Sequence, residues 1–170
     1  MKLKITLISA LILCLSSIFM VSCKDKNSKC ASVPCAVGHC ENGACVCPAG
    51  YSGQYCNDVW VVKFSNGWNF KEYEMDGTLF SGPYFTTLGP APGSLTELQL
   101  NNFWNGTNGI PLVLTSATQF HLKEVFTLNN GYILHAFEGA LNTATNQISG
   151  TFKIEYQGTQ IEFKFSMDKM

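Results

Sequence analysis

The chain has few charged residues and no cluster of basic side chains. Charged residues make up 14% of the 170 residues, and the 11 basic residues are slightly outnumbered by 12 acidic ones. A protein that binds a nucleic-acid backbone places several Lys or Arg side chains on one surface. The composition therefore argues against nucleic acid as a partner.

The sequence also lacks the signatures of common catalytic and nucleotide-binding sites. We find no G-x-S-x-G nucleophile elbow, no H-E-x-x-H zinc motif, no P-loop and no Rossmann glycine fingerprint. We therefore predict no catalytic residue and no cofactor, and expect a protein that is not an enzyme.

One long hydrophobic run is present, at the N-terminus. Lys2 and Lys4 precede an apolar stretch, residues 5–21. The sequence MVSC, residues 20–23, overlaps its end and finishes at Cys23. A charged start followed by such a run is typical of a secretory signal peptide. The ending resembles the lipobox of bacterial lipoproteins, which implies cleavage after residue 22 and acylation of Cys23 with fatty acids such as palmitate.

This resemblance implies a protein anchored by lipid to the membrane of the bacterial cell envelope. We expect residues 1–22 to be the signal peptide and residues 23–29 a solvated tether. Acyl chains on one cysteine hold a protein stably at a membrane, here expected to be the outer membrane, on its periplasmic or its surface side. The alternatives are an uncleaved membrane anchor, or an ordinary signal peptide with Cys23 as a free thiol.

Apart from Cys14 in the predicted signal peptide and Cys23, cysteine is confined to a short, glycine-rich segment, residues 30–56. Such a segment is too small to bury a core, so covalent links must replace one. An exported protein meets an oxidising compartment, where an even number of cysteines indicates disulfides, although spacing alone leaves the pairing open. The six cysteines are Cys30, Cys35, Cys40, Cys45, Cys47 and Cys56.

The end of this segment, CVCPAGYSGQYC, resembles the short, tenascin-type EGF-like domain. Gly50, Tyr51 and Gly53 stand at the positions that this family uses, and the resemblance covers residues 30–56 only. It implies three disulfides: Cys30 with Cys40, Cys35 with Cys45, and Cys47 with Cys56.

Metal binding is not expected in this module. The calcium-binding subtype of the family has acidic residues before the first cysteine and an aromatic residue between the third and fourth, and NSK and ENGA supply neither. His39 has no second histidine nearby and lies in an oxidising compartment, so a structural zinc site is not favoured either.

The remaining chain, residues 59–170, has no cysteine and alternates apolar with polar residues. In TFKIEYQGTQIEFKF, residues 151–165, a turn at Gln157-Gly158 gives a hairpin with apolar pairs on one face and an oppositely charged pair on the other. The predicted cross-strand pairs are Ile154 with Ile161, Phe152 with Phe163, and Lys153 with Glu162.

A second hairpin is predicted about Asn130-Gly131, a dipeptide that favours a tight turn. This register places Glu124 and His135 on the same apolar face, where a general base is conceivable but a structural pair is expected. The predicted cross-strand pairs are Leu128 with Ile133, Phe126 with His135, and Lys123 with Glu138.

About eight short strands with no stretch of helical periodicity indicate a mainly β protein. We predict an antiparallel meander that closes as a small, lipocalin-like barrel or folds as a sandwich. The fold class is thus a small disulfide-stapled module followed by an antiparallel β domain.

Two Asn- and Trp-containing stretches are candidates for glycan contacts. Exposed Trp rings can stack on a sugar, and Asn amides can bind its hydroxyl groups. The alternative is that Asn and Gly form turns while the Trp rings cap the core. The candidate contacts are Trp68, Trp104, Asn102 and Asn105.

Two functions follow as hypotheses. The first is a non-enzymatic envelope lipoprotein that binds or adheres to an unknown protein or glycan through the EGF-like module and the β domain. The second is a lipocalin-like carrier of a small apolar ligand or glycan. A packed β domain favours the first, and an open interior lined by Phe126, Ile133, Phe152 and Phe163 favours the second.

Overall fold

The computed structural model describes residues 29–104 and 106–170. The predicted signal peptide, Cys23 and residues 24–28 of the tether lie outside the described residues, as does Asn105. Within the described ranges, no helix has the length and apolar character needed to cross a membrane.

The N-terminal module consists of two small hairpins held by three disulfides. Strand β1 (His39–Glu41) pairs with β2 (Ala44–Val46), and β3 (Tyr51–Ser52) pairs with β4 (Asp58–Val59). The disulfides join Cys30 to Cys40, Cys35 to Cys45, and Cys47 to Cys56, the same pairing that the EGF-like resemblance implies.

The rest of the chain forms a closed antiparallel β-barrel with eight strand positions, one of which is shared by two short strands. Strand β13 pairs with β5, and β9 and β10 lie one after the other along β11, so that the sheet closes on itself. This confirms the predicted barrel over the sandwich. The strands are β5 (Asn66–Tyr73), β6 (Leu79–Pro90), β7 (Glu97–Asn101), β8 (Ile110–Leu114), β9 (Gln119–Leu122), β10 (Phe126–Thr127), β11 (Ile133–Asn142), β12 (Gln147–Tyr156) and β13 (Thr159–Lys169).

The two ends of the barrel differ. A short helix, α1 (Trp60–Phe64), precedes β5 and buries Val61 and Phe64, so we call this end the closed end. The disulfide-linked N-terminal module lies at this end, where the Trp60 amide donates a hydrogen bond to the Gly50 carbonyl at 2.9 Å. Since neighbouring strands are antiparallel, connections alternate between the ends. The opposite end, which we call the mouth, carries connections 74–78, 102–109, 128–132 and 157–158.

The last hairpin has the register predicted from the sequence. Strands β12 and β13 pair Ile154 with Ile161, Phe152 with Phe163, and Lys153 with Glu162. Phe152 and Phe163 face the core, as the alternation requires.

The register predicted about Asn130-Gly131 is wrong by one residue. Phe126 pairs with Leu134 rather than His135, and a register shift between Leu134 and Ala136 marks a β-bulge at His135. The bulge turns His135 away from the core, and its Nε2 lies 2.8 Å from Glu155 Oε2. Glu124 is exposed. The predicted buried pair of Glu124 and His135 is therefore also wrong.

Aromatic side chains fill the barrel interior. Phe70 stacks on Phe165 with ring centroids 5.1 Å apart, Phe137 stacks on Phe165 at 4.7 Å, and Phe152 stacks on Phe163 at 5.2 Å. Each such pair stabilises the fold by about 0.5–1.5 kcal/mol beyond simple burial. The barrel centre is consequently a packed core and not the open interior that a deep calyx would need.

Two glycines let β11 and β12 bend tightly around this core. Gly139 pairs with Gly150. A Cβ on Gly139 would lie 2.6 Å from the Phe120 ring, and one on Gly150 would lie 1.9 Å from the Glu138 carbonyl oxygen. Glycine in a strand commonly marks such a bend or close approach of backbone.

Candidate functional site

The candidate site begins with an ionisable residue on the inner side of a strand. Alternation along β5 points Trp68, Phe70 and Glu72 into the barrel. Glu72 lies nearest the mouth and is 1% exposed. A carboxyl group in this position is unusual, because burying a charge is costly unless it is paired or hydrogen-bonded.

Two neighbouring side chains donate hydrogen bonds to Glu72. The Tyr84 hydroxyl, from the adjacent strand β6, and the Trp104 indole Nε1, from the connection between β7 and β8, both reach Glu72 Oε1. Their convergence fixes the carboxyl group at the base of the mouth.

The surroundings shift the pKa values of both acidic groups. Burial raises the pKa of Glu72, and the hydrogen bonds from Tyr84 and Trp104 oppose that shift. Burial, followed by the nearby Glu72 carboxylate, raises the pKa of Tyr84 far above its ordinary value. Tyr84 therefore stays a neutral hydrogen-bond donor at any physiological pH.

A pocket of about 520 Å³ opens above Glu72 at the mouth. This volume lies in the range of small-molecule sites, and its wall combines aromatic rings with a few polar groups, which is typical of them. The lining residues are Glu72, Phe80, Ser81, Tyr84, Asn102, Trp104, Gly106, Asn130 and Tyr132.

The connection that carries Trp104 has an uncommon backbone conformation. Asn102 and Trp104 have φ angles of 57° and 30°, in the left-handed region that bulky residues rarely adopt. The Asn102 amide is held by Asn108 Oδ1 at 2.8 Å, and the Gly109 amide by Asn101 Oδ1 at 2.8 Å. Residues held in such conformations cluster at ligand-binding segments.

The predicted glycan contacts separate into different environments. Trp104 and Asn102 line the pocket, whereas Trp68 is 0% exposed and its Nε1 donates to the Phe64 carbonyl at 3.0 Å. Trp68 is thus a core residue, and its assignment as a contact is wrong. Asn105 lies outside the described residues.

Sequence reasoning missed the residue at the centre of the pocket. Glu72 stands two residues after Phe70 and four after Trp68 in an alternating strand, so the pattern alone places it on the apolar side. An ionisable residue on that side was the available signal. Nothing in the sequence indicated that Tyr84 would donate a hydrogen bond to Glu72, or that Tyr132 would line the same pocket.

A second, wider concavity of about 760 Å³ runs over strands β9, β11 and β12. It includes His121 and His135. However, no group of three or more potential metal ligands occurs in residues 29–104 and 106–170. We regard the mouth pocket as the better candidate site, because a buried carboxyl group, its two donors and several aromatic rings converge there.

Comparisons with known proteins add little to this description. No protein-family model and no curated protein matches the chain. Among solved structures, a redesigned β-barrel is similar at a TM-score of 0.41 and 11% identity, covering 65% of this chain and 94% of that one. At that level the comparison supports no argument, and the fold rests on the strand pairing itself.

Proposed function

We propose that this protein is a lipid-anchored, non-enzymatic component of the bacterial cell envelope that binds a small ligand at the barrel mouth. The observation that carries the proposal is the pocket above Glu72, walled by aromatic rings, at one end of an otherwise packed barrel. This is a shallow form of the predicted carrier function, with the site at the rim rather than in the interior.

The lining chemistry favours binding over catalysis. Ser81 is the one hydroxyl nucleophile of the Ser, Thr or Cys type in the lining, and no histidine accompanies it there to act as its base. Tyr84 is held neutral by its surroundings. The pocket thus has groups that can orient a ligand but lacks a paired nucleophile and base.

The arrangement of the domains suits a lipid-anchored binding protein. The proposed anchor at Cys23 and the EGF-like module precede the closed end, where Trp60 and Gly50 are hydrogen-bonded. The mouth is at the opposite end of the barrel. In this proposal the EGF-like module acts as a short stalk, and the pocket faces away from the membrane.

Adhesion to a protein partner is a second candidate, because apolar side chains are exposed around the mouth. Leu79, Phe80 and Ile161 are 54%, 51% and 44% exposed. Exposed apolar residues grouped on one surface commonly mark a contact site. The packed interior of the barrel also favours adhesion, since a deep carrier site would need an open interior.

A thermal-shift screen of small metabolites tests ligand binding. A ligand that binds the folded protein raises its melting temperature, and we expect at least one class of compound to do so. Trp104→Ala should remove the shift, whereas Val62→Ala, at an exposed position on α1, should retain it. A shift that survives Trp104→Ala would place the ligand elsewhere, and a screen without any shift would favour adhesion.

A further inference from the structure

The mouth pocket contains a buried acidic group without a positive neighbour. Among the residues of ranges 29–104 and 106–170 that line the pocket, Glu72 is the one acidic residue, and none is Lys or His. The ion pairs in the described part of the chain join Lys63 to Asp58, Lys71 to Asp168, Lys123 to Glu97 and His135 to Glu155, and none includes Glu72. A carboxylate removed from water is stabilised strongly by a cation placed beside it.

The two oxygens of this carboxyl group differ in their hydrogen-bond partners. Tyr84 and Trp104 both donate to Oε1. Among residues 29–104 and 106–170 we find no donor within hydrogen-bonding distance of Oε2. A positively charged group that enters the pocket would therefore find an acceptor already fixed in place.

The pocket walls also favour a cation. Four aromatic side chains, Phe80, Tyr84, Trp104 and Tyr132, line the pocket. The ring of Trp104 lies 5.4 Å from Tyr132 and 6.5 Å from Phe80, measured between centroids. The electron-rich faces of such rings attract organic cations, most strongly at Trp.

Neutral sugars and anions fit the same wall less well. The Asn102 amide nitrogen already donates to the Phe85 carbonyl, and Asn130 Oδ1 accepts from the Tyr132 amide at 3.3 Å. One polar atom of each of these two side-chain amides is thus already used within the protein. An anion would meet the Glu72 carboxylate without a compensating positive group.

We propose that the mouth pocket binds an ammonium ligand, with Glu72 as its counter-charge and the four aromatic rings as its walls. This inference rests on the proposed function, since it names the ligand class of the same pocket. A free quaternary ammonium compound such as choline and a phosphocholine lipid headgroup share this chemistry. Binding of either supports the proposal, and their relative affinities distinguish the two sources.

Isothermal titration calorimetry with matched ligands tests the charge. The probes are choline, ethanolamine, phosphocholine and the uncharged tert-butyl analogue of choline. We expect at least one ammonium compound to bind, and choline to bind about tenfold or more tightly than its uncharged analogue. Vesicles of phosphatidylcholine, compared with free choline, show whether a lipid headgroup is preferred.

Glu72→Gln is the decisive variant, because glutamine keeps an oxygen that can accept from Tyr84 and Trp104. We expect it to abolish the preference for choline over the uncharged analogue. The matched control is Glu162→Gln, which removes a carboxylate exposed on β13 and should leave the preference unchanged.

Two results would overturn the inference while leaving the pocket a ligand site. One is equal binding of choline and its uncharged analogue, abolished in both cases by Trp104→Ala. The other is binding of screened neutral ligands, sensitive to Trp104→Ala, with no ammonium compound bound. If no compound of any class binds, the proposed function itself fails.

Discussion

Glu72 shows how one residue can give a packed barrel a distinct end. It continues the inner face of β5 after Trp68 and Phe70, where an apolar side chain would complete the core. Instead, the carboxyl group and its donors Tyr84 and Trp104 line a pocket. Natural proteins commonly depart from such a local rule where function requires it.

The raised pKa of Glu72 predicts a specific pH dependence of stability. Below the pKa that Glu72 has in the unfolded chain, its carboxyl group is protonated in both the folded and the unfolded state, and its burial costs least. As pH rises through the folded-state pKa, the free energy of unfolding should fall, because the folded protein resists ionisation. Glu72→Gln should lack this loss and gain stability relative to the wild type as pH rises.

Urea denaturation of both proteins between acidic and neutral pH measures this difference. Glu162→Gln serves as the control, since its carboxylate is exposed. A stability difference between wild type and Glu72→Gln that does not change with pH would contradict the assignment.

The two candidate tryptophans should respond differently to truncation. Trp68 is fully buried, so Trp68→Ala should destabilise the barrel by about 3–5 kcal/mol. Trp104 is half-buried at the mouth, and Trp104→Ala should cost less stability while removing ligand binding. Chemical denaturation checks the order, and equal losses of stability would argue against separate roles.

At the scale of elements, the sequence predicted one hairpin and misjudged another for a physical reason. Gln157-Gly158 joins two regularly alternating strands, so one register satisfies both faces. Around Asn130-Gly131 the chain instead makes a wider turn, in which the Leu128 amide bonds to the Tyr132 carbonyl at 2.8 Å. The bulge at His135 then resets the alternation, and sequence alternation alone cannot locate a bulge.

Because sequence patterns show local structure, they also limit which residues of the site could be predicted. Trp104 and Asn102 were candidates because an aromatic ring and side-chain amides stand close together in that stretch of the sequence. Glu72 and Tyr84 lie on the paired strands β5 and β6, whereas Tyr132 comes from a distant connection that closure of the barrel brings to them. The number and alternation of the strands predicted an antiparallel β domain, but left open whether it closes as a barrel or folds as a sandwich.

The bend at Gly139 and Gly150 should be intolerant of larger side chains. In Gly150→Ala the new methyl group would overlap the Glu138 carbonyl oxygen, which belongs to backbone and cannot move aside cheaply. We expect a loss of about 1–3 kcal/mol in the free energy of unfolding. Gly89→Ala is the control, because a Cβ there meets nothing within 4 Å. Similar stabilities of the two variants would contradict the role of Gly150.

At the scale of the whole molecule, the disulfide-linked N-terminal module and the barrel should differ in their dependence on disulfides. Replacing Cys47 and Cys56 together by Ser should cost the module about 2–5 kcal/mol, since its strands bury little apolar surface. The barrel contains no cysteine and should stay folded. Hydrogen exchange followed by mass spectrometry resolves the two regions, and loss of protection throughout the barrel would contradict this independence.

The proposed lipid anchor predicts a change of location. Cys23→Ser should leave the precursor uncleaved or release the protein from membranes, because acyl chains supply its proposed membrane affinity. Fractionation and mass spectrometry of the mature N-terminus check this. A free, unacylated N-terminus at another residue in the wild type would exclude the anchor.

The central claim, a ligand site at the mouth of a packed barrel, is tested most directly by the indole resonances in an NMR titration. Trp104 Nε1–H donates to Glu72 in the pocket, while Trp68 Nε1–H donates to Phe64 in the core. With a ligand found by the thermal-shift screen, we predict a saturable shift of the Trp104 resonance and little change at Trp68. A ligand that binds without moving the Trp104 resonance would contradict the claim.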